Sequence, residues 1–255
     1  MIGLIRKLLS KNRYAYALVA KVYHELRYFF QKCFYQIFQG VPVLRISDLD
    51  RTKYKSQFGQ DFLIDTLFLP NTSGGFFVEI GANDPIRNSN TYYLEKYGGY
   101  SGLSFDAIDF CEGYKKHRPN TEFRNIVISS SEEEVVFNFV ESQNGWEDQL
   151  SGIDSDKLSG KNLKIKQKKV PAARLEAFLS PKQKIDVMII DVEGHEIEVM
   201  NSFDLEGLRP KLVICENSGP LKEHRNLQNF MSDRGYVLQA RIWTADDVYV
   251  PNGTV

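Results

Sequence analysis

Cysteine is scarce in this chain. Cys33, Cys111 and Cys215 are its three, widely spaced and odd in number, and no Cys-x-x-Cys pair occurs. That excludes a disulfide-stapled scaffold, a zinc knuckle and a thioredoxin-type site. Reduced thiols suit a cytosolic compartment, and Cys215, inside an apolar run, reads as a small core hydrophobe. No cleavable signal pattern occurs, and no apolar run is long enough to span a bilayer. Net charge is nearly absent: Lys and Arg number 32, Asp and Glu 33, for a formal charge of −1. A nucleic-acid footprint over the whole surface is therefore not expected. Repeats and low-complexity tracts are missing, and so is the Gly-x-Gly-x-x-Gly run of a dinucleotide fold.

What is present is a globular composition, 42% hydrophobic and 25% charged over 255 residues, enough for one large domain with an appendage. Two runs stand out, Phe76-Phe77-Val78-Glu79-Ile80-Gly81-Ala82-Asn83 and Ile185-Asp186-Val187-Met188-Ile189-Ile190-Asp191-Val192-Glu193-Gly194-His195-Glu196. Each reads as a buried strand that ends in carboxylates and glycine. Apolar strands belong in a covered parallel sheet, and such sheets bind ligands at the carboxyl ends of their strands. Further strands are expected at Gly102–Phe105, Phe123–Ile128, Val135–Val140, Leu212–Cys215 and within Tyr236–Tyr249. A lysine-protected edge strand is expected around Lys164–Val170. Helices are expected over Gln57–Leu69, Asn90–Tyr97, Phe110–His117, Arg174–Leu179, Glu196–Phe203 and Leu221–Arg234. This alternation predicts an α/β protein, a doubly wound, mostly parallel Rossmann-like sheet with helices on both faces.

The first 40 residues differ from the rest. Arg6, Lys7, Lys11, Arg13, Lys21, Arg27 and Lys32 face a single acid, Glu25, and apolar and tyrosine residues recur at helical spacing. Residues 1–40 are read as a basic amphipathic helical arm and residues 41–255 as the main domain, with Gly40-Val41-Pro42 as the boundary. Such an arm either packs on its own domain or a partner subunit, or lies on an anionic membrane surface.

Three strand ends carry the candidate chemistry. Gly81 permits a tight turn and close approach of a ligand. Glu79 beside it repels phosphate but suits an ammonium group such as that of S-adenosylmethionine. Asp106 ends the second strand about 20 residues past the glycine turn, where a ribose-binding acid is expected. Asp191, Glu193, His195 and Glu196 crowd the end of the Val187–Ile190 strand. Glu193 and Glu196 also suit a helix N-terminus, and His195 is a candidate base for a hydroxyl proton. Glu216 ends the next strand and lines the acceptor side. Asp191, Glu193 and His195 are of the type that holds a hard divalent ion, but the reading assigns no metal.

With these residues in place, the chain resembles the FkbM-type methyltransferases, a branch of the class I S-adenosylmethionine-dependent enzymes. The resemblance rests on Ser56-Gln57-Phe58-Gly59-Gln60-Asp61, Phe77-Val78-Glu79-Ile80-Gly81-Ala82, Ser89-Asn90-Thr91-Tyr92-Tyr93-Leu94-Glu95, Arg118-Pro119, Ile185-Asp186 and Asp191-Val192-Glu193-Gly194-His195-Glu196. Arg209-Pro210, Glu216 and Asp247-Val248-Tyr249 extend it. It implies methyl transfer from S-adenosylmethionine to an oxygen, here a hydroxyl of a sugar in a glycan or glycolipid-like acceptor. Glu79, Gly81, Ala82, Asn83, Asp106 and Asp191 are the expected cofactor contacts, and His195 and Asp191 the catalytic pair. Glu193, Glu216 and Trp146, the last in a polar loop over residues 142–161, are expected at the acceptor. Pro85 stands where the family usually has glycine, and Ser104-Phe105-Asp106-Ala107 replaces its usual Ile-Glu-Pro run. These departures motivate an alternative, a catalytically inactive binding or scaffold protein of the same fold. A nicotinamide-dependent oxidoreductase is disfavoured by the missing glycine run. The expected location is cytoplasmic, at the inner face of a membrane if the arm binds lipid.

Overall fold

The computed structural model describes residues 13–131, 134–141, 151–153, 164–180 and 182–254. An eight-stranded mixed sheet forms its centre. The elements are α1 (Arg13–Cys33), continued by a π turn (Phe34–Phe38), then β1 (Val43–Leu44) and α2 (Gln60–Leu63), continued by a second π turn (Ile64–Phe68). β2 (Phe76–Ile80), α3 (Tyr92–Lys96), β3 (Ser101–Asp106), α4 (Cys111–His117) and β4 (Thr121–Asn125) follow. Next come β5 (Val127–Ile128), β6 (Val135–Val140), β7 (Ile165–Val170) and β8 (Ala172–Ala173), outside the main sheet. The chain closes with β9 (Val187–Ile190), α5 (Glu196–Met200), α6 (Leu205–Leu208), β10 (Leu212–Glu216), α7 (Leu221–Asp233), β11 (Tyr236–Ile242) and β12 (Asp246–Pro251).

The strand order is β1-β11-β12-β10-β9-β2-β3-β4. β10, β9, β2, β3 and β4 run parallel, and β12 is inserted antiparallel between β10 and β11. The chain winds outward from β2 through β3 to β4, then returns to β9 and winds the other way. The order therefore reverses between β2 and β9, the position where an open α/β sheet has a crevice.

The central strands β2, β9 and β10 are largely apolar because both sheet faces are covered there. Side chains alternate across a strand. Val78, Ile80, Met188, Ile190, Val213 and Cys215 feed one core, under α5 and α7. Phe77, Val187, Ile189, Leu212 and Ile214 feed the other, beneath α2 and α3. Cys215 is a buried core residue, as its apolar run suggested.

Two differences from the sequence reading have physical causes. The single strand expected over Phe123–Ile128 is split at Ile126: β4 stays on the main sheet, while β5 pairs in parallel with β8. The Ile126 amide instead bonds the Arg124 carbonyl, a local turn that breaks the ladder. The lysine-rich β7 is not an edge of the main sheet. It forms an antiparallel hairpin with β6, and Phe137 turns inward onto Val127 and Ala172.

The arm joins the domain through one helix seam. Tyr28 stacks on Trp243 at 5.1 Å. Gln31 accepts from Arg241 Nε at 3.0 Å, and Tyr35, fully buried, bonds His224 Nδ1 at 2.8 Å. Beneath them Arg241 and Asp247 form a fully buried ion pair at 2.7 Å, which Asn217 joins at 2.7 Å. Burial and the nearby Arg241 charge push the His224 pKa down to about 4, so the ring is neutral against Tyr35. The opposite stripe of α1, with Val19, Val22, Leu26, Phe29 and Phe30, is exposed. Among the described residues no helix is long and apolar enough to cross a membrane.

Candidate active site

A cleft of about 210 Å³ opens at the carboxyl ends of β2, β3, β9 and β10. Its floor is the junction of β2 and β9. Asp191 donates its backbone N–H to Ile80 at 2.9 Å. Gly81 has φ +82°, and a Cβ there would lie 1.8 Å from the Asp191 carbonyl oxygen. Only glycine fits this crossing, for both its conformation and its lack of bulk. Asn83 (φ 50°) and Asn88 (φ 57°) continue the left-handed turns on one side of the cleft, and Glu193 (φ 57°) and Gly194 (φ 113°) on the other. Left-handed backbone at a non-glycine residue is costly and gathers at functional sites.

Asp106 stands at the end of β3. Its carboxylate accepts the backbone N–H of Asn83 and of Ile108, each at 2.8 Å. These bonds fix it in place, and a carboxylate held so is of the type that accepts hydroxyl hydrogen bonds. Beside it Phe105, Ala107, Ile108, Val127 and Phe137 make an apolar wall.

The opposite side is acidic. One carboxylate oxygen from each of Asp191, Glu193 and Glu216 lies within 4.8 Å of the others, and Asp246 and His195 line the same wall. Burial, then the neighbouring Glu216, Asp246, Glu193 and Glu196, push the Asp191 pKa well above the carboxylate range. Burial and Glu216 raise Asp246 to about 7, against the pull of Arg241 and a 2.8 Å hydrogen bond from Gln60 Nε2. Like charges that cannot all ionise together make a site that favours a cation. The three clustered carboxylates have the hardness for a divalent ion; a cationic ligand satisfies the same charge.

The residues fit S-adenosylmethionine. Asn90 lines the cleft, is nine-tenths buried, and its Oδ1 has no hydrogen-bond partner among the described residues. An ammonium group would supply one. The apolar wall beside Asp106 suits an adenine ring, Asp106 suits a ribose, and the acids suit a sulfonium.

The structure gathers Gly81, Ala82, Asn83, Asp106, Asp191, Glu193, His195 and Glu216 around this cleft. Glu79 is not among its lining residues. It shares the strand face of Phe77, so its carboxylate is buried, bonding Thr91 Oγ1 at 2.6 Å and the Asn90 N–H at 3.3 Å. It thereby supports the loop that carries Asn90. Arg118 completes that support: it pairs with Glu95 at 2.6 Å and donates to Pro85 O, Ser89 Oγ and Thr91 Oγ1. Pro85 does not line the cleft, so proline at this turn leaves the notch open. Trp146 lies outside the described residues, as does most of the loop around it; of that loop, Ser151 reaches the cleft, with Ile153 beyond it.

Sequence reasoning passed over Gln57, Gln60, Asn90 and Asp246. Gln57, Gln60 and Asn90 sat inside quoted motifs, where the motif itself was the available signal. In Ser56-Gln57-Phe58-Gly59-Gln60-Asp61, Asp61 accepts the backbone N–H of Lys55 and Ser56 and fixes the loop, which delivers Gln60 to Asp246. Asp246 begins an antiparallel strand, so a search for strand ends overlooks it.

The order reversal between β2 and β9, with an acid-lined notch at that point, marks the crevice of an open α/β sheet. Residues 79–238 match the family described as Methyltransferase FkbM domain, and the chain belongs to it. No curated protein sequence matches significantly. Among solved structures, the chain is similar to a candidate RNA methyltransferase from Pyrococcus horikoshii at 9% identity, with a TM-score of 0.43, covering 83% of this chain and 92% of that one.

Gly81→Ala should abolish donor binding, measured by titration with S-adenosylhomocysteine, and lower the melting temperature. The displaced atom is backbone, and no side-chain adjustment relieves the clash.

Proposed function

We propose that this chain is an S-adenosylmethionine-dependent O-methyltransferase acting on a sugar hydroxyl of a glycan or glycolipid-like acceptor. The observation that carries the reading is the convergence of a ribose-type acid, Asp106, and a cation-favouring cluster around Asp191 on one cleft. When bound, the donor supplies a methyl group on a cationic sulfur, displaced in line by the acceptor oxygen. The chain's own residues do the rest. Asp106 and Asn90 hold the two ends of the donor, and the apolar wall excludes water from it. Alignment of the two reactants is the main source of rate.

Glu193 and Glu216 are acceptors of hydroxyl hydrogen bonds, and Phe58, which lines the cleft and stacks on Trp243 at 6.5 Å, offers an aromatic face. Both features suit a polyhydroxylated acceptor. His195, at the start of α5, takes the hydroxyl proton on an imidazole nitrogen. Asp191 stands beside the reacting atoms and stabilises charge as the proton leaves.

Asp106→Ala should raise the donor dissociation constant at least about tenfold, as expected for lost charge-assisted hydrogen bonds. His195→Ala should lower turnover about a hundredfold, within the range for a general base, with donor affinity nearly kept. The assay is methyl transfer from labelled S-adenosylmethionine to glycan extracts. Undiminished turnover in His195→Ala removes it as the base.

The arm supports a membrane-linked acceptor. Its exposed stripe is apolar and aromatic, its sequence is basic, and its one acid, Glu25, is held by Arg45 at 2.9 Å. A helix of this kind lies in an anionic interface, here proposed at the inner face of a membrane. The stack from Tyr28 through Trp243 to Phe58 ties that helix to the cleft wall. The protein should float with phosphatidylglycerol vesicles, and Leu26→Glu with Phe30→Glu should abolish flotation while donor binding stays intact. Unchanged flotation in the double variant removes the membrane contact.

A further inference from the structure

The loop that leaves β10 is held from three directions. Glu216 ends the strand on the acid-lined side of the cleft, and residues 217–219 follow it. Three successive carbonyls of this loop each meet a donor from a different element. Asn217 O accepts from Arg241 Nη2 on β11 at 3.0 Å. Ser218 O accepts from Arg27 Nη2 on α1 at 2.6 Å. Gly219 O lies 2.8 Å from His224 Nε2 on α7. A carbonyl only accepts, so Nε2 carries the proton, and Nδ1 of the neutral ring accepts from Tyr35 in the π turn after α1. The arm thus grips the loop twice, directly through Arg27 and by way of His224 through Tyr35.

The loop passes that hold on to the cleft. Ser218 Oγ donates to Glu216 Oε1. Glu216 needs such a tether, because β10 and β12 set it directly opposite Asp246. Like charges opposite each other on neighbouring strands repel, and carboxylates of Asp191 and Glu193 crowd Glu216 from the other side. Untethered, its side chain would turn away from this cluster towards water. The donor side is built differently. There Asp106 holds the Asn83 amide and Glu79 the Asn90 amide, contacts local to β2, β3 and the segment between them.

We infer that Arg27 is a positioning residue for the acceptor side of the cleft: through Ser218 it sets the Glu216 carboxylate where an acceptor hydroxyl binds. The inference rests on the methyl-transfer reading and deepens it, since it makes the arm a part of the acceptor site as well as a face for lipid. Tyr28, the next residue along α1, backs the same side through its stack on Trp243 and that of Trp243 on Phe58.

Arg27→Ala, Ser218→Ala and the double variant are compared with the wild type and with Lys21→Gln, a charge control on the exposed side of the arm. Methyl transfer is followed against increasing amounts of a delipidated, water-soluble glycan extract, so that lipid binding plays no part. S-adenosylhomocysteine affinity is measured on the same preparations by calorimetry. Each single variant should raise the half-saturating amount of glycan at least about threefold, the scale of one lost hydrogen bond. Donor-product affinity should stay within twofold of the wild type, and Lys21→Gln should match the wild type in both. The double variant should be no worse than the weaker single, because both substitutions act on Glu216 by one path. Unchanged half-saturation, an equal loss in Lys21→Gln, additive losses, or an equal fall in S-adenosylhomocysteine affinity overturns the inference. Crystals of the Arg27→Ala protein read the same point without an acceptor: the Glu216 carboxylate should be displaced from Ser218, and an unmoved carboxylate overturns the inference. If S-adenosylhomocysteine binds and the carboxylate moves but no glycan is methylated, the positioning of Glu216 stands and the acceptor class fails. If S-adenosylhomocysteine does not bind the wild type, the methyl-transfer reading fails and the inference with it.

Discussion

The backbone crossing of Gly81 over Asp191 is the constraint on which the site depends. A single methyl group at residue 81 would overlap the Asp191 carbonyl. The close approach draws the ends of β2 and β9 together at the point where the strand order reverses. It sets Asp191 beside Glu216 on the neighbouring strand and Asp246 on the strand beyond. The acidity of the cleft is therefore a consequence of topology: residues remote in sequence become neighbours because their strands end on one line.

Buried and half-buried ion pairs flank this line of strand ends. Glu95 is paired with Arg118 on one flank, Asp247 with Arg241 on the other, and Asp186 with Lys211 at the far end of the strands. Those pairs are structural. Breaking a buried one strands a charge in the interior and costs about 3–5 kcal/mol. In the cleft, by contrast, the groups acting most strongly on Asp191 after burial are other acids. A cluster of acids that raises carboxylate pKa values, even against the pull of Arg241 on Asp246, favours a cationic ligand.

Much of this was legible in the sequence because the physics is local. Val187-Met188-Ile189-Ile190 is apolar on both faces, so it had to be a covered strand, and Asp191 had to end it. The same logic placed Asp106, Glu193, His195 and Glu216 at the crevice. It stops at Glu79, which is one residue short of the strand end. Alternation there turns the side chain towards Arg118 and Thr91, away from the cleft. Asp246 was out of reach for a different reason: its neighbour Glu216 is 30 residues away in sequence, and only the antiparallel insertion of β12 joins them. The motifs containing Ser56, Asp61, Glu95 and Arg118 were visible as patterns, but their role as loop supports emerges only from the buried hydrogen bonds they make.

The central claim is that Asp191 and Asp246, with their raised pKa values, are held partly protonated until a cation arrives. Calorimetry of S-adenosylmethionine binding near pH 7, in two buffers of different ionisation enthalpy, measures the protons exchanged. The account predicts net release, because the bound positive charge lowers the raised pKa values of Asp191 and Asp246. Binding with proton uptake, or with no exchange at all, would contradict it.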